Sequence, residues 1–269
     1  MFVNENTNFY LFSSCCKLAQ KLYYLGKLKA VYLEKRHINK DLVNFCCLRD
    51  IPFYPVDTLE ELNSVLPKQT SSSVGISYGV GFIFKKQHIE LFTHGIWNIH
   101  AGKLPDNRGR HPIGWSFINN DKYFTLTIHS INEEIDQGKL IYEENIERDI
   151  NDDTNSISKK IINLLDGNFL LKAIDNYCND ISVPMTKGNY NKNLMGKFTN
   201  IKLQDYTAPQ LYSIFKSQLI YGPLCIEGAL YDDCNFYSEF LNYDNCKILE
   251  AKDGIKLSLH IAEEGGPND

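Results

Sequence analysis

FYLFSSCCKLAQKLYYLGKLKAVYL, residues 9–33, holds the reading that decides the fold. An apolar run (Phe9 to Phe12) is followed by an amphipathic one (Cys15 to Leu25) and then by a second apolar run (Leu28 to Leu33). Short apolar runs bounded by polar turns suit buried strands, and the 3.6-residue recurrence between them suits a helix. Outward from this segment the rhythm continues: Asn39 to Arg49 is helical in spacing, and Pro52 to Val56 is strand-like. Thr58 to Leu66 begins with a capping threonine three residues before Glu61, and Ser73 to Tyr78 is again apolar. Strands alternating with helices imply right-handed crossovers around a parallel sheet, so the first half is expected to be a doubly wound α/β domain.

The 269 residues are 43% hydrophobic and 23% charged, which is enough for a real core and excludes a mainly disordered chain. Twenty-eight basic against 33 acidic residues give a net charge of −5, against the cationic surplus that general nucleic-acid binding requires. No apolar run nears the roughly 20 residues that span a bilayer, and no secretory leader is evident, so a cytoplasmic protein without a membrane partner is expected. The eight cysteines include the adjacent pairs Cys15-Cys16 and Cys46-Cys47 and no C-x-x-C, so free thiols are expected rather than disulfides or a cysteine metal site. The first strand lacks the glycines of a dinucleotide fingerprint, and no P-loop occurs, which disfavours nicotinamide enzymes and NTPases.

Ser156 to Tyr177 carries apolar residues at helical spacing and reads as one long helix closing the first domain. Turn formers follow at Gly188 to Asn193, and a boundary near Met185 divides a catalytic domain (1–185) from a smaller α+β domain (186–269). In the latter, Ala208 to Leu219 is helical, and Asp253-Gly254 between Cys246 to Ala251 and Ile255 to Ile261 signals a hairpin. The last residues, Glu263 to Asp269, are expected to be a frayed tail.

Chemistry concentrates between Gly95 and Gly138. Asn98 and His100 stand two apart in a strand, so both point to one side of the sheet. A neutral imidazole that takes a proton from an attacking amine, beside an amide N–H that donates to the oxygen of a carbonyl under attack, is the apparatus of acyl transfer. Asp136, in the turn I-D-Q-G, would orient the imidazole or receive a proton. Each residue alone has an ordinary structural reading, as a core histidine or a turn aspartate. A metal cluster of His94, His100, His111 and His129 lacks any H-x-H or H-E-x-x-H spacing, and no metal is expected.

Together, NIHAGKLPDNRGRHP (98–112) and TIHSINEEIDQG (127–138) closely resemble the formyltransferases that use 10-formyltetrahydrofolate, whose pattern is N-x-H-x-[SG]-x-L-P-x-x-R-G followed by H-x-(5 or 6)-D-x-G. The resemblance implies a Rossmann-like parallel-sheet domain, formyl transfer to an amine, and a catalytic trio of Asn98, His100 and Asp136. It places the folate against Ser77, Tyr78, Gly79 and Gly81, with Glu133, Ile135 and Gln137 as the opposite wall. Gly102 in place of a serine common in the tRNA enzymes, and the form GKLPDNRGR, are similar to enzymes that formylate nucleotide-linked amino sugars. The resemblance then implies a dTDP-linked amino sugar, with dTDP-4-amino-4,6-dideoxyglucose favoured, for a surface glycan such as the O-antigen of lipopolysaccharide. Lys103, Arg108 and Arg110 would meet the pyrophosphate; Trp97, Tyr190 or Trp115 would stack on the base. The C-terminal hairpin would serve as a homodimer contact, as in some sugar formyltransferases, or simply cap the fold. Two alternatives stand beside this reading: methionyl-tRNA as the acceptor, and a folate-binding module without turnover.

Overall fold

The computed structural model of the chain describes Val3, residues 6–134, Asp136, residues 138–242 and residues 244–262. The expected site residues Ile135 and Gln137, and the expected tail Glu263 to Asp269, lie outside the described residues. The chain divides into two compact units. The first comprises Met1–Gly109, Thr125–Ile146 and Lys159–Tyr190; the second comprises Arg110–Phe124, Glu147–Ser158 and Asn191–Asp269. A single cut near Met185 therefore gives way to an interleaved division, because Arg110–Phe124 and Glu147–Ser158 pack with the C-terminal residues.

The first unit is built on strands β1 (Asn8–Phe12), β2 (Lys27–Leu33), β3 (Phe53–Pro55), β4 (Ser73–Tyr78) and β5 (Ile96–His100), with α1 (Cys16–Leu25), α2 (Lys40–Leu48), α3 (Leu59–Val65) and the short α4 (Lys86–Ile89) between them. All but α4, which was not anticipated, match the sequence reading, including the start of α3 at Thr58, whose hydroxyl caps the helix by accepting the Glu61 amide at 3.1 Å. α1 buries Leu18, Ala19 and Leu22, one turn apart, on the sheet. Gly26 is required where α1 meets β2, since a Cβ there would lie 2.6 Å from the Phe9 ring.

β6 (Arg108–Gly109) and α5 (Pro112–Ile118) lead to β7 (Tyr123–Ser130), β8 (Lys139–Glu147), α6 (Thr154–Asp166), α7 (Phe169–Cys178), β9 (Val183–Pro184) and β10 (Tyr190–Asn191). The main sheet has the order β3-β2-β1-β4-β5-β7-β8-β9. Its first five strands are parallel. β7 then runs antiparallel to β5, and β9 antiparallel to β8. The expected helix from Ser156 to Tyr177 is two helices. It breaks at Gly167 and Asn168, where Gly167 has poor helix propensity, Asn168 leaves helical dihedrals (φ −101, ψ 5), and the Asp166 carbonyl is taken by the Lys21 ammonium at 3.1 Å.

The second unit holds α5, α8 (Ala208–Gln218) and an antiparallel sheet in the order β11-β12-β14-β13, formed by β11 (Leu224–Ile226), β12 (Ala229–Phe236), β13 (Cys246–Glu250) and β14 (Lys256–Ile261). Leu211 and Phe215 of α8 share a core with Tyr231, Cys234, Leu257 and Leu259 of the sheet. The expected Asp253-Gly254 hairpin joins β13 to β14, with Gly254 at φ +76. β11 and β12 were not anticipated.

The turn from β7 to β8 is tightly packed at Gly138, where a Cβ would lie 1.9 Å from the Ser130 carbonyl oxygen. That oxygen belongs to the backbone and has little freedom to move. Gly138→Ala is expected to destabilise the chain by about 1–3 kcal/mol, read as a lower urea midpoint at unchanged slope.

Candidate active site

The strand register assembles the site. Ser77 of β4 pairs with Asn98 of β5, and Asn98 pairs with His129 of β7, so three polar side chains stand abreast on one face of neighbouring strands. Beyond β7 the chain turns through Asp136 in the left-handed region (φ +50), bringing its carboxylate back over this face. Asp136 Oδ1 lies 3.8 Å from His100 Nδ1 and 3.7 Å from His129 Nε2, while Oδ2 accepts the Gly109 amide at 2.8 Å. Asn98, His100 and Asp136, singled out from the sequence, are thus brought together, but Asn98 joins the others through His129.

Hydrogen bonding fixes the tautomers. His100 Nε2 stands 2.7 Å from the Asn107 carbonyl, which only accepts, so Nε2 carries hydrogen and the lone pair is on Nδ1, facing Asp136. The carbonyl is steadied by a tethered loop, in which the Asn107 amide donates to the Lys103 carbonyl (2.7 Å) and the Thr127 hydroxyl to the Gly102 carbonyl (2.7 Å). His129 Nδ1 donates to the Ser130 carbonyl at 3.0 Å, which leaves Nε2 to accept from Asn98 Nδ2 at 3.3 Å.

Burial pushes the pKa of His100 below its ordinary 6.5, with the His129 ring adding to the shift, and the Asp136 charge and the Asn107 carbonyl only partly opposing it. For Asp136, burial would raise the pKa, yet the neighbouring His129 and His100 rings and the Gly109 amide outweigh it and hold the carboxyl below its ordinary value. A neutral base therefore faces an ionised carboxylate at neutral pH. Once Nδ1 takes a proton, the imidazolium meets an anion already in place.

Ser77 is buried at the end of β4, Tyr78 is half-buried with its pKa raised by burial, and Gly79 is exposed at φ +67, a conformation that favours glycine. Gly81 is exposed, and a Cβ on it would stand 3.2 Å from the Glu34 carboxylate. Glu133 is exposed in the turn before Asp136. Lys103, Arg110 and Tyr190 are exposed; Arg108 is buried, with an Nε that has no hydrogen-bond partner. Trp97 is not available to stack on a base: it is 1% exposed, donates to the His94 carbonyl at 3.0 Å and packs 4.6 Å from the Tyr177 ring. Trp115 is held in the second unit, donating to the Lys192 carbonyl at 2.9 Å beneath the Lys197 ammonium.

His129 was not among the expected site residues. Its signal was the histidine that opens H-x-(5 or 6)-D-x-G, but only the antiparallel register of β7 shows which side chain it meets. The described residues contain no group of three or more His, Cys, Asp or Glu that could hold a metal ion, all eight cysteines are free, and no described helix is long and apolar enough to cross a membrane.

Residues 51–174, which contain the whole constellation, match the formyl transferase domain. The chain carries a formyl transferase domain. A methionyl-tRNA formyltransferase of Prochlorococcus marinus is 31% identical over 152 residues, covering 55% of this chain and 43% of that protein. One of Caldicellulosiruptor saccharolyticus is 30% identical over 164 residues, covering 60% and 52%. The chain thus spans about half the length of the curated relatives it matches. Among solved structures, WlaRD, a sugar 3N-formyl transferase solved with dTDP and 5-N-formyl-THF, superposes with a TM-score of 0.74 at 18% identity, covering 97% of this chain and 99% of that one. The N-formyltransferase of Helicobacter canadensis, solved with folinic acid and dTDP-3-aminofucose, gives 0.72 at 17% identity over 96% and 100%. A 4-N formyltransferase of Francisella tularensis gives 0.59 at 18% over 96% and 98%. The formyl transferase fold is common to all of these.

The depressed pKa of His100 has a kinetic consequence. Its neutral form is the competent one and persists until the pH falls through the depressed value. The acid limb of the rate at saturating substrates is therefore expected below the ordinary histidine value of 6.5. A rate profile between pH 5 and 8, with chemistry limiting, checks this; a limb centred above 6.5 contradicts it.

Proposed function

We propose that this chain transfers a formyl group from 10-formyltetrahydrofolate to the amine of a dTDP-linked amino sugar, for a surface glycan. The observation that carries the chemistry is the pairing of a neutral His100, its lone pair toward Asp136, with an Asn98 amide on the same face. A neutral amine attacks the formyl carbon and forms a C–N bond. Asn98 donates to the developing oxyanion, and His100 Nδ1 takes the ammonium proton, with Asp136 stabilising the imidazolium. Collapse of the tetrahedral intermediate breaks the bond to N10 of the folate, which leaves with the proton returned by His100. Ser77, Tyr78, Gly79, Gly81 and Glu133 would line the folate site.

Three observations support the sugar nucleotide as acceptor. The solved sugar formyltransferases match this chain along nearly its whole length. The net charge of −5 suits a small anion better than a polyanion. Arg108 holds a buried, unpartnered N–H in the first unit, a donor suited to a diphosphate. Lys103, Arg110 and Tyr190 are exposed and free of that constraint. On the amine position, the GKLPDNRGR form favours C4, and the higher TM-scores to the 3-amino enzymes favour C3. A homodimer through the C-terminal sheet would cover the exposed Leu230, Ile248 and Ile261. The sequence relatives favour a second reading, with initiator methionyl-tRNA as the acceptor.

Incubation with 10-formyltetrahydrofolate and a panel of dTDP-3-amino sugars, dTDP-4-amino sugars and charged initiator tRNA, followed by mass spectrometry, is expected to show one formyl group gained by one sugar nucleotide. Transfer to tRNA alone overturns the acceptor, and no transfer to any of them overturns the reading. Arg108→Ala is expected to raise KM for the sugar nucleotide about tenfold or more, from the loss of a charge-assisted hydrogen bond, without changing KM for the folate.

A further inference from the structure

The catalytic amide has its own positioning device, and it is the second histidine. Asn98 has two equivalent-looking ends: an NH2 that can serve an oxyanion and a carbonyl that would repel one. Nothing in β5 itself decides which end faces the site. His129 decides it. The ring is 1% exposed, so its polar atoms must be satisfied within the protein. Nδ1 stands 3.0 Å from the Ser130 carbonyl, which cannot donate, so Nδ1 bears the hydrogen. Nε2, 3.3 Å from Asn98 Nδ2, is then an acceptor. It takes one amide N–H and leaves the other for an oxygen in the site.

We infer that His129 is a positioning residue for formyl transfer: as the neutral Nδ1–H tautomer it holds the Asn98 amide with its free N–H presented to the carbonyl oxygen under attack. The inference rests on the formyl-transfer reading and assigns a role to a residue outside the catalytic trio. The groups facing the ring are Asn98, the Ser130 carbonyl and Asp136, whose Oδ1 is 3.7 Å from Nε2 and 3.8 Å from His100 Nδ1. A proton on Nε2 would turn toward Asp136 and would demand the amide oxygen of Asn98 in place of its nitrogen. The site would then present a lone pair where it needs a donor. One carboxylate thus faces two imidazoles of different duty, His100 taking the proton and His129 holding the amide.

The test uses the full chain with 10-formyltetrahydrofolate and the acceptor that the wild type formylates. His129→Leu removes the acceptor and is expected to lower kcat about a hundredfold, the usual effect of losing an oxyanion donor, with KM for both substrates within about threefold. His129→Gln, whose side-chain oxygen keeps an acceptor near the place of Nε2, is expected to recover at least about tenfold of that loss. A His129→Leu enzyme with near wild-type kcat overturns the proposal, as does a His129→Gln enzyme no better than the leucine variant when both melt alike. Nitrogen NMR of the wild-type chain labelled at the imidazoles gives a second readout that needs no variant to fold and no turnover. His129 is expected to carry hydrogen on Nδ1 alone at assay pH, and a proton found on Nε2 overturns the proposal. If the wild type transfers no formyl group, the functional reading fails, and the tautomer still decides whether His129 holds the Asn98 amide.

Discussion

A buried carboxylate must be answered by donors, and the way Asp136 is answered sets the chemistry of the whole site. One oxygen is satisfied by the backbone amide of Gly109, which belongs to the loop that also carries the carbonyl on His100. The other oxygen faces two imidazoles at nearly equal distances. Two imidazolium ions around one carboxylate would repel each other, and the His129 ring indeed opposes a charge on His100. The two rings therefore take different duties. The backbone makes the choice, by spending His100 Nε2 and His129 Nδ1 on carbonyls and leaving the remaining nitrogens with different partners.

This arrangement depends on the sheet changing direction at one particular place. β1 to β5 are parallel, as the alternation of strands and helices requires, but β7 returns beside β5 with opposite polarity. That reversal sets His129 level with Asn98 and carries the strand past His100, to end level with Trp97. A carboxylate on the following turn can reach His100 only if the chain folds back over the sheet. The left-handed conformation of Asp136 and the close backbone contact at Gly138 belong to that excursion. Strain and tight packing are concentrated at the residue that the chemistry needs.

Much of this was legible in the residues. The period of the apolar runs gave the parallel half, Thr58 marked its helix start, and the spacing of Asn98, His100 and Asp136 with a specific motif located the site. The same period also sets Trp97 apart: if Asn98 faces the site, Trp97, its strand neighbour, must face the opposite side, where it is found packed on Tyr177. The role of His129 was hidden, because it arises from a pairing across strands and H-x-(5 or 6)-D-x-G says nothing about polarity. The interleaved second unit was hidden for a similar reason. Arg110–Phe124 lies between two catalytic segments in sequence and joins the C-terminal residues only through tertiary packing. β12 carries Asp232 and Asp233 amid its apolar residues, which masks its period.

Arg108 bears on the kind of acceptor such a site can take. A guanidinium withdrawn from water loses hydration, and an N–H left without a partner adds to that loss. In the same unit the Asp136 carboxylate accepts the Gly109 amide and faces the two histidines, and the Arg108 Nε has no hydrogen-bond partner. An anionic ligand offsets the loss when it arrives, and a single recessed cation discriminates by geometry: it rewards a compact anion that can enter and gives little to a polyanion that binds by many surface contacts. A chain that is acidic overall, with such a donor beneath its surface, suits the proposed sugar nucleotide better than a polyanion.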